Sequence, residues 1–140
     1  MSVASGALRS SDDLQVLNGA NAAAVRSGGG EWEVIQFATA KLVAPGEYAL
    51  EGLLRGQAGT DWVMPDNLPA GADFVMLDGA VSQLDLPASA RGLARHYRVG
   101  PSSRPYSDPS FVHSVASFAG VGLRPYRPAH LSGKRGASGA

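Results

Sequence analysis

Residues 47–62, EYALEGLLRGQAGTDW, decide how this chain is read. An alternating stretch runs into Arg55, and Gly56 and Gly59 stand three apart before Thr60. A phosphate-binding loop needs G-x-x-x-x-G-K-[ST], with amides around the phosphates, a lysine on them and a hydroxyl on magnesium. The glycine spacing differs and no lysine precedes Thr60, so no nucleotide site is expected. What remains is a corner. A strand ending at Leu54 leaves its sheet where Gly56 and Gly59 admit backbone angles closed to other residues. Arg55 is expected to pair with a carboxylate or cap carbonyls there, and Thr60 to hydrogen-bond the turn.

Upstream of the corner, Ala44-Pro45-Gly46 predicts a turn joining strands at 41–43 and 47–54. Further strands are expected at 31–37 (EWEVIQF), 73–77, 95–99 and 111–118, separated by prolines that argue against long helices. Within 31–37 the apolar positions shift phase from Trp32 and Val34 to Ile35 and Phe37, the sign of a bulge or a strand buried on both faces. The expected core is Trp32, Val34, Tyr48, Leu50, Phe74 and Met76, with Glu31, Glu33, Glu47 and Glu51 facing water.

Residues 11–17 admit two readings. Ser11 could cap a short helix, or Asn18-Gly19 could turn a hairpin joining strands at 14–17 and 22–25. The hairpin is preferred. A helical turn at 89–93 and a flexible loop at 28–30 complete the pass. The fold class is mainly β, a small barrel- or sandwich-like module with irregular loops and little helix. Residues 1–131 form one module and 132–140 a Gly/Ser/basic tail.

The bulk numbers agree with that class. Glycine at 18 and proline at 9 of 140 residues favour many short elements. No apolar run is long enough to span a bilayer, and residues 1–13 lack the pattern of a secretory signal, so no membrane insertion is expected. Absent cysteines remove disulfide and thiolate chemistry and fit assembly in a reducing cytoplasm. Net charge is zero but divided: residues 1–85 carry four basic and eleven acidic side chains, residues 86–140 eight basic and one acidic. Such asymmetry points to an interaction surface. Its candidates are Arg91, Arg95, Arg98, Arg104, Arg124 and Arg127. No recognisable nucleic-acid-binding pattern accompanies them, so no specific nucleic-acid binding is expected.

Catalytic patterns are missing. His96, His113 and His130 stand 17 residues apart, without H-x-x-x-H or H-E-x-x-H spacing, so no metal site is expected from them. GVGL at 120–123 lacks the third glycine of a dinucleotide fingerprint, and no G-x-S-x-G elbow exposes a serine. The pairs Asp12/Asp13 and Glu31/Glu33 read as a cap and a solvated face. Neither an enzyme nor a cofactor is expected.

In order along the chain, NGAN at 18–21, the stretch 31–60, GADFVMLDGAV at 71–81, RGLARHYRVGPSSRPY at 91–106 and GVGLRPYRPAHL at 120–131 resemble one known family. It is the C-terminal hub region of the tail-tip, or host-specificity, proteins of gene transfer agents and related long-tailed phages. LLRGQAGT at 53–60 is the most specific piece. The resemblance implies a β-rich structural component of a tail tip or baseplate hub, with Leu54, Arg55, Gly56, Gly59 and Thr60 as a conformational corner. It implies other tail or baseplate proteins as partners, a homo-oligomer with a trimer favoured, a role in host adsorption, and a place at the tail tip of a virion or phage-like particle. Family members carry a glycosidase-like barrel upstream, and no position here matches its catalytic residues. The alternative reading is a receptor- or glycan-binding module of the tail-fibre region, built on exposed Trp62, Tyr97 and Tyr106.

Overall fold

The computed structural model describes residues 6–125 and 132–133. Residues 11–17 resolve against the preferred hairpin. They form α1 (Asp13–Leu17), capped by Asp12 and not by Ser11. The Gln15 backbone N–H donates to Asp12 Oδ1 at 2.8 Å, and the Asp12 N–H donates to Gln15 Oε1 at 3.2 Å. Two orphan donors of the first turn are thereby satisfied reciprocally, which a hairpin could not do. Only Val16 of the helix is buried.

The chain then enters β1 (Ala22–Arg26), β2 (Trp32–Ala44) and β3 (Glu47–Gln57), and returns after the corner as β4 (Phe74–Met76). These four make an antiparallel sheet in the order β3-β2-β1-β4. Both ends of that order are open edges, so the sheet is sandwich-like and not a closed barrel. A second, two-stranded sheet pairs β5 (Arg95–Val99) with β6 (Val112–Ala116). The protein is a mainly β, two-sheet module with little helix and irregular connections.

Residues 31–37 and 41–43 are one continuous strand, because β2 runs unbroken to the Pro45-Gly46 turn. Its phase shift is a register break between Val34 and Gln36. The break turns Glu33, Ile35, Gln36 and Phe37 inward and leaves Trp32 40% exposed. The expected core is therefore corrected at Trp32, which lies under the Arg26 guanidinium, 5.6 Å from the ring centroid. The expected solvation of Glu33 is corrected too, since Glu33 is wholly buried.

Ala23, Val25 and Ile35 form the centre of the core, with Leu68, Ala72, Phe74 and Met76 packed against it. Ala23 and Val25 alternate inward from β1, whose alanine-rich sequence is a poor strand former but is paired on both sides. Buried Gln36 donates from Nε2 to the carbonyls of Val16 (2.6 Å) and Ala20 (2.9 Å), tying α1 to the sheet. Residues 28–30 are a closed turn and not a loose loop: Ser27 N–H donates to Glu31 O at 2.7 Å, and Gly30 N–H to Ser27 O at 3.0 Å. The expected helical turn near 89–93 is a 3-10 turn at Ala88–Ala90.

Candidate functional site

The corner after β3 is built around a buried ion pair. Register pairing of β2 with β3 brings Glu33 beside Arg55 and Gly56. Arg55 Nε donates to Glu33 Oε1 and Arg55 Nη2 to Oε2, both at 2.7 Å, a two-pronged contact suited to a planar guanidinium. The Gly56 N–H adds a third donor to Oε1 at 3.0 Å. Arg55 Nη2 also donates to Pro65 O at 3.1 Å, so the same guanidinium ties the end of β3 to the middle of the connection that leads to β4. Hydrogen bonding to Glu33 is the main influence raising the Arg55 pKa; burial opposes it, and the Glu33 charge reinforces it.

The turn itself is closed by Thr60. Its Oγ1 donates to Gln57 O at 2.6 Å and accepts from the Val34 N–H at 2.9 Å. That second bond gives the Val34 N–H an acceptor beside the register break between Val34 and Gln36. Gly56 and Gly59 have φ of 62° and 75°. A Cβ on Gly56 would meet Asp61 Cα at 2.8 Å, and one on Gly59 would collide with the Val121 carbonyl. Gly59 is thus a notch that receives the 3-10 turn at Val121–Leu123. Arg124, just beyond, places its guanidinium 5.5 Å from the Trp62 ring centroid. Leu54 is half-buried on β3.

The basic residues are dispersed over the second half. Arg91, Arg95, Arg98, Arg104 and Arg124 are all exposed. Arg104 approaches Asp108 at 3.8 Å, and Arg98 lies over the Phe111 ring at 5.8 Å. Arg127 lies outside the described residues. In the segment from 77 to 125 Ala90 is the one buried residue, while Leu84, Leu93, Val99, Val112, Val115 and Leu123 are more than half exposed. Of the three histidines, His96 and His113 come together across β5 and β6; His130 lies outside the described residues. Among the described residues, no three or more His, Cys, Asp or Glu side chains group to hold a metal ion. No helix among them is long and apolar enough to cross a membrane.

Sequence reasoning missed Glu33, the residue that organises the corner. Its signal was present as the phase shift in 31–37, because a bulge changes which residues point inward.

Buried charge at the corner braces backbone, beside a half whose arginines and many of whose apolar side chains face solvent. The family model described as Rcc01698-like, C-terminal, matches residues 1–75. That is just over half of the chain, and the chain belongs to this gene transfer agent tail-tip family. Family identity fits a non-catalytic, virion-associated structural role. The match takes in α1, β1 to β3 and the whole corner, and ends within β4. Neither the curated proteins nor the solved structures give a match.

Proposed function

We propose that the chain is a structural component of a phage-like tail tip or baseplate hub, making protein–protein contacts and contributing to host adsorption. One observation carries the contact role: the second half exposes apolar residues among arginines and has almost no interior of its own. Such a surface is suited to burial against another protein. The acidic first half supplies a complementary partner, so copies of the chain associate head to tail, and a rotation that closes gives a ring. In this reading residues 1–131 act as one module, a trimer is the favoured state, and assembly takes place in the bacterial cytoplasm with other tail proteins. Leu54, Arg55, Gly56, Gly59 and Thr60 hold the corner against which the second half docks.

A receptor- or glycan-binding module is the second reading, favoured by the exposed rings of Trp62 and Tyr106. Both rings are already engaged, Trp62 by Arg124 and Tyr106 by Phe111 at 5.5 Å, which favours the structural reading. Gold-labelled antibody against the chain, viewed on purified particles by electron microscopy, tests the placement. Label at the distal tail end is expected; particles without label there overturn it.

A further inference from the structure

The β5–β6 ribbon has little interior to hold it closed. Of its ten paired residues, only Tyr97 and Ala116 are half-buried, and the rest are exposed. A two-stranded ribbon is marginally stable at best in water, so single cross-strand contacts decide whether it stays closed. One face is fastened by aromatic contact, the Tyr97 ring standing edge-on to Phe118 with centroids 5.9 Å apart. The base is tied where the Gly92 N–H donates to Phe118 O at 2.9 Å. By the register, the other face carries His96, Arg98, His113 and Val115. There His96 Nδ1 lies 3.0 Å from His113 Nε2, across a diagonal of the ladder. The rings are parallel within 2° and their centroids are 5.2 Å apart. That separation is close to the nitrogen–nitrogen distance plus a ring radius on each side, so the rings meet edge to edge.

A hydrogen bond between two imidazole nitrogens needs a proton on one and a lone pair on the other. The pair meets that need when both rings are neutral and when one of them is charged, whichever ring donates. It fails when both are imidazolium, because two N–H groups then face each other and like charges meet across the ladder. We propose that His96 and His113 form a pH-sensitive latch, which holds β5 to β6 at neutral pH and releases them in acid. Histidine is the side chain whose charge ordinarily changes between about pH 5 and 8. The charged groups around the latch make its doubly charged state costlier. Arg98 stands directly opposite His113, with its guanidinium over the Phe111 ring, and keeps a further positive charge on this face. Arg95, on the opposite face, lines a cleft with His96 and Asp85, so the carboxylate of segment 84–86 stands near an arginine as well as the histidine. Asp108, in the loop joining the strands, is engaged by Ser110 Oγ at 2.7 Å and by Arg104 at 3.8 Å. Among the described residues, no carboxylate pairs with either imidazole. The ribbon carries Arg95, Arg98, Val99, Val112 and Val115 of the exposed second half, so the latch governs how that surface is presented, whatever partner it meets.

The test is amide hydrogen exchange on the full chain at about pH 7.5 and about pH 5, near the two ends of the range in which histidine changes charge. Exchange is expressed as protection relative to the intrinsic rate at each pH. Ordinary carboxylates titrate below that window, so the histidines are the side chains that change charge within it. Protection across β5 and β6 should fall about fivefold or more at the lower pH, while β1 and β2 keep theirs. His113→Gln puts an amide in place of the imidazole, one that donates or accepts but takes up no proton. Protection of its ribbon, whether high or low, should change less than about twofold between the two pH values. His130→Gln should keep the full fall. A ribbon unprotected at the higher pH, equal protection at both, or the same fall in His113→Gln overturns the proposal.

Discussion

Arg55 reaches back 22 residues along the chain to Glu33, and the two meet through a pair of 2.7 Å hydrogen bonds with the carboxylate wholly buried. The pair fixes where β3 leaves the sheet, because the same carboxylate accepts from Gly56 and the same guanidinium donates to Pro65. Removing one partner leaves the other charge buried and unanswered, which costs about 3–5 kcal/mol. Arg55→Ala should lower stability by about 3 kcal/mol in urea unfolding. The double change Glu33→Leu/Arg55→Met should be less damaging than Arg55→Ala, although Gly56 and Pro65 still lose partners. A double variant as damaging as Arg55→Ala, or more so, would contradict the pairing.

Gly59 joins the two halves of the molecule. Gly59→Ala meets both an unfavourable φ and the Val121 carbonyl, and strain of that kind costs of order 1–3 kcal/mol. Its local mark should be Trp62 fluorescence, since displacing residues 121–124 removes the Arg124 guanidinium from the ring. An unchanged emission spectrum in a folded Gly59→Ala protein would sink this account of the notch.

Gln36 tethers α1, and its amide is the donor to two carbonyls. Gln36→Leu keeps the bulk but leaves the Val16 and Ala20 carbonyls without that donor, at a cost of about 1–3 kcal/mol. Hydrogen exchange should quicken in α1 before it does in β2. Uniform quickening across the sheet would mean that the tether is not local.

Legibility in the sequence followed the range of the forces. Pro45-Gly46 and the strands of period two were readable because turn chemistry and alternation act over a few residues. The Asp12–Gln15 capping box was equally local, and Asn18-Gly19 drew the reading to a hairpin instead; Asn18 in fact caps the end of α1. Glu33 was not readable in the same way. Its burial depends on a register break and on an arginine in the next strand, a pairing that spacing does not reveal. The meeting of His96 and His113 depends likewise on the β5–β6 register.

Asp108 makes a pH prediction. The Ser110 hydroxyl, at 2.7 Å, and then the Ser110 backbone N–H, at 2.9 Å, hold its pKa below the ordinary carboxylate value. A carboxyl depressed in the folded state contributes order that is present above the unfolded value, about 3.9, and lost as pH falls through the folded one. The turn at 108–111 should therefore stay closed at neutral pH and loosen only below about pH 4. In an NMR titration, Ser110→Ala should move the Asp108 midpoint upward; a midpoint that stays put would count against the contact.

The central claim is that unlike charges on the two halves join copies of this chain into a hub. Size-exclusion chromatography with light scattering, at low and high salt, tests it most directly. Screening shrinks from about 10 Å at 0.1 M to about 3 Å at 1 M ionic strength, so charge-driven contacts should weaken across that range. The account predicts a trimer or larger ring at low salt that dissociates as salt rises. A monomer at both salts, or an oligomer indifferent to salt, would contradict it.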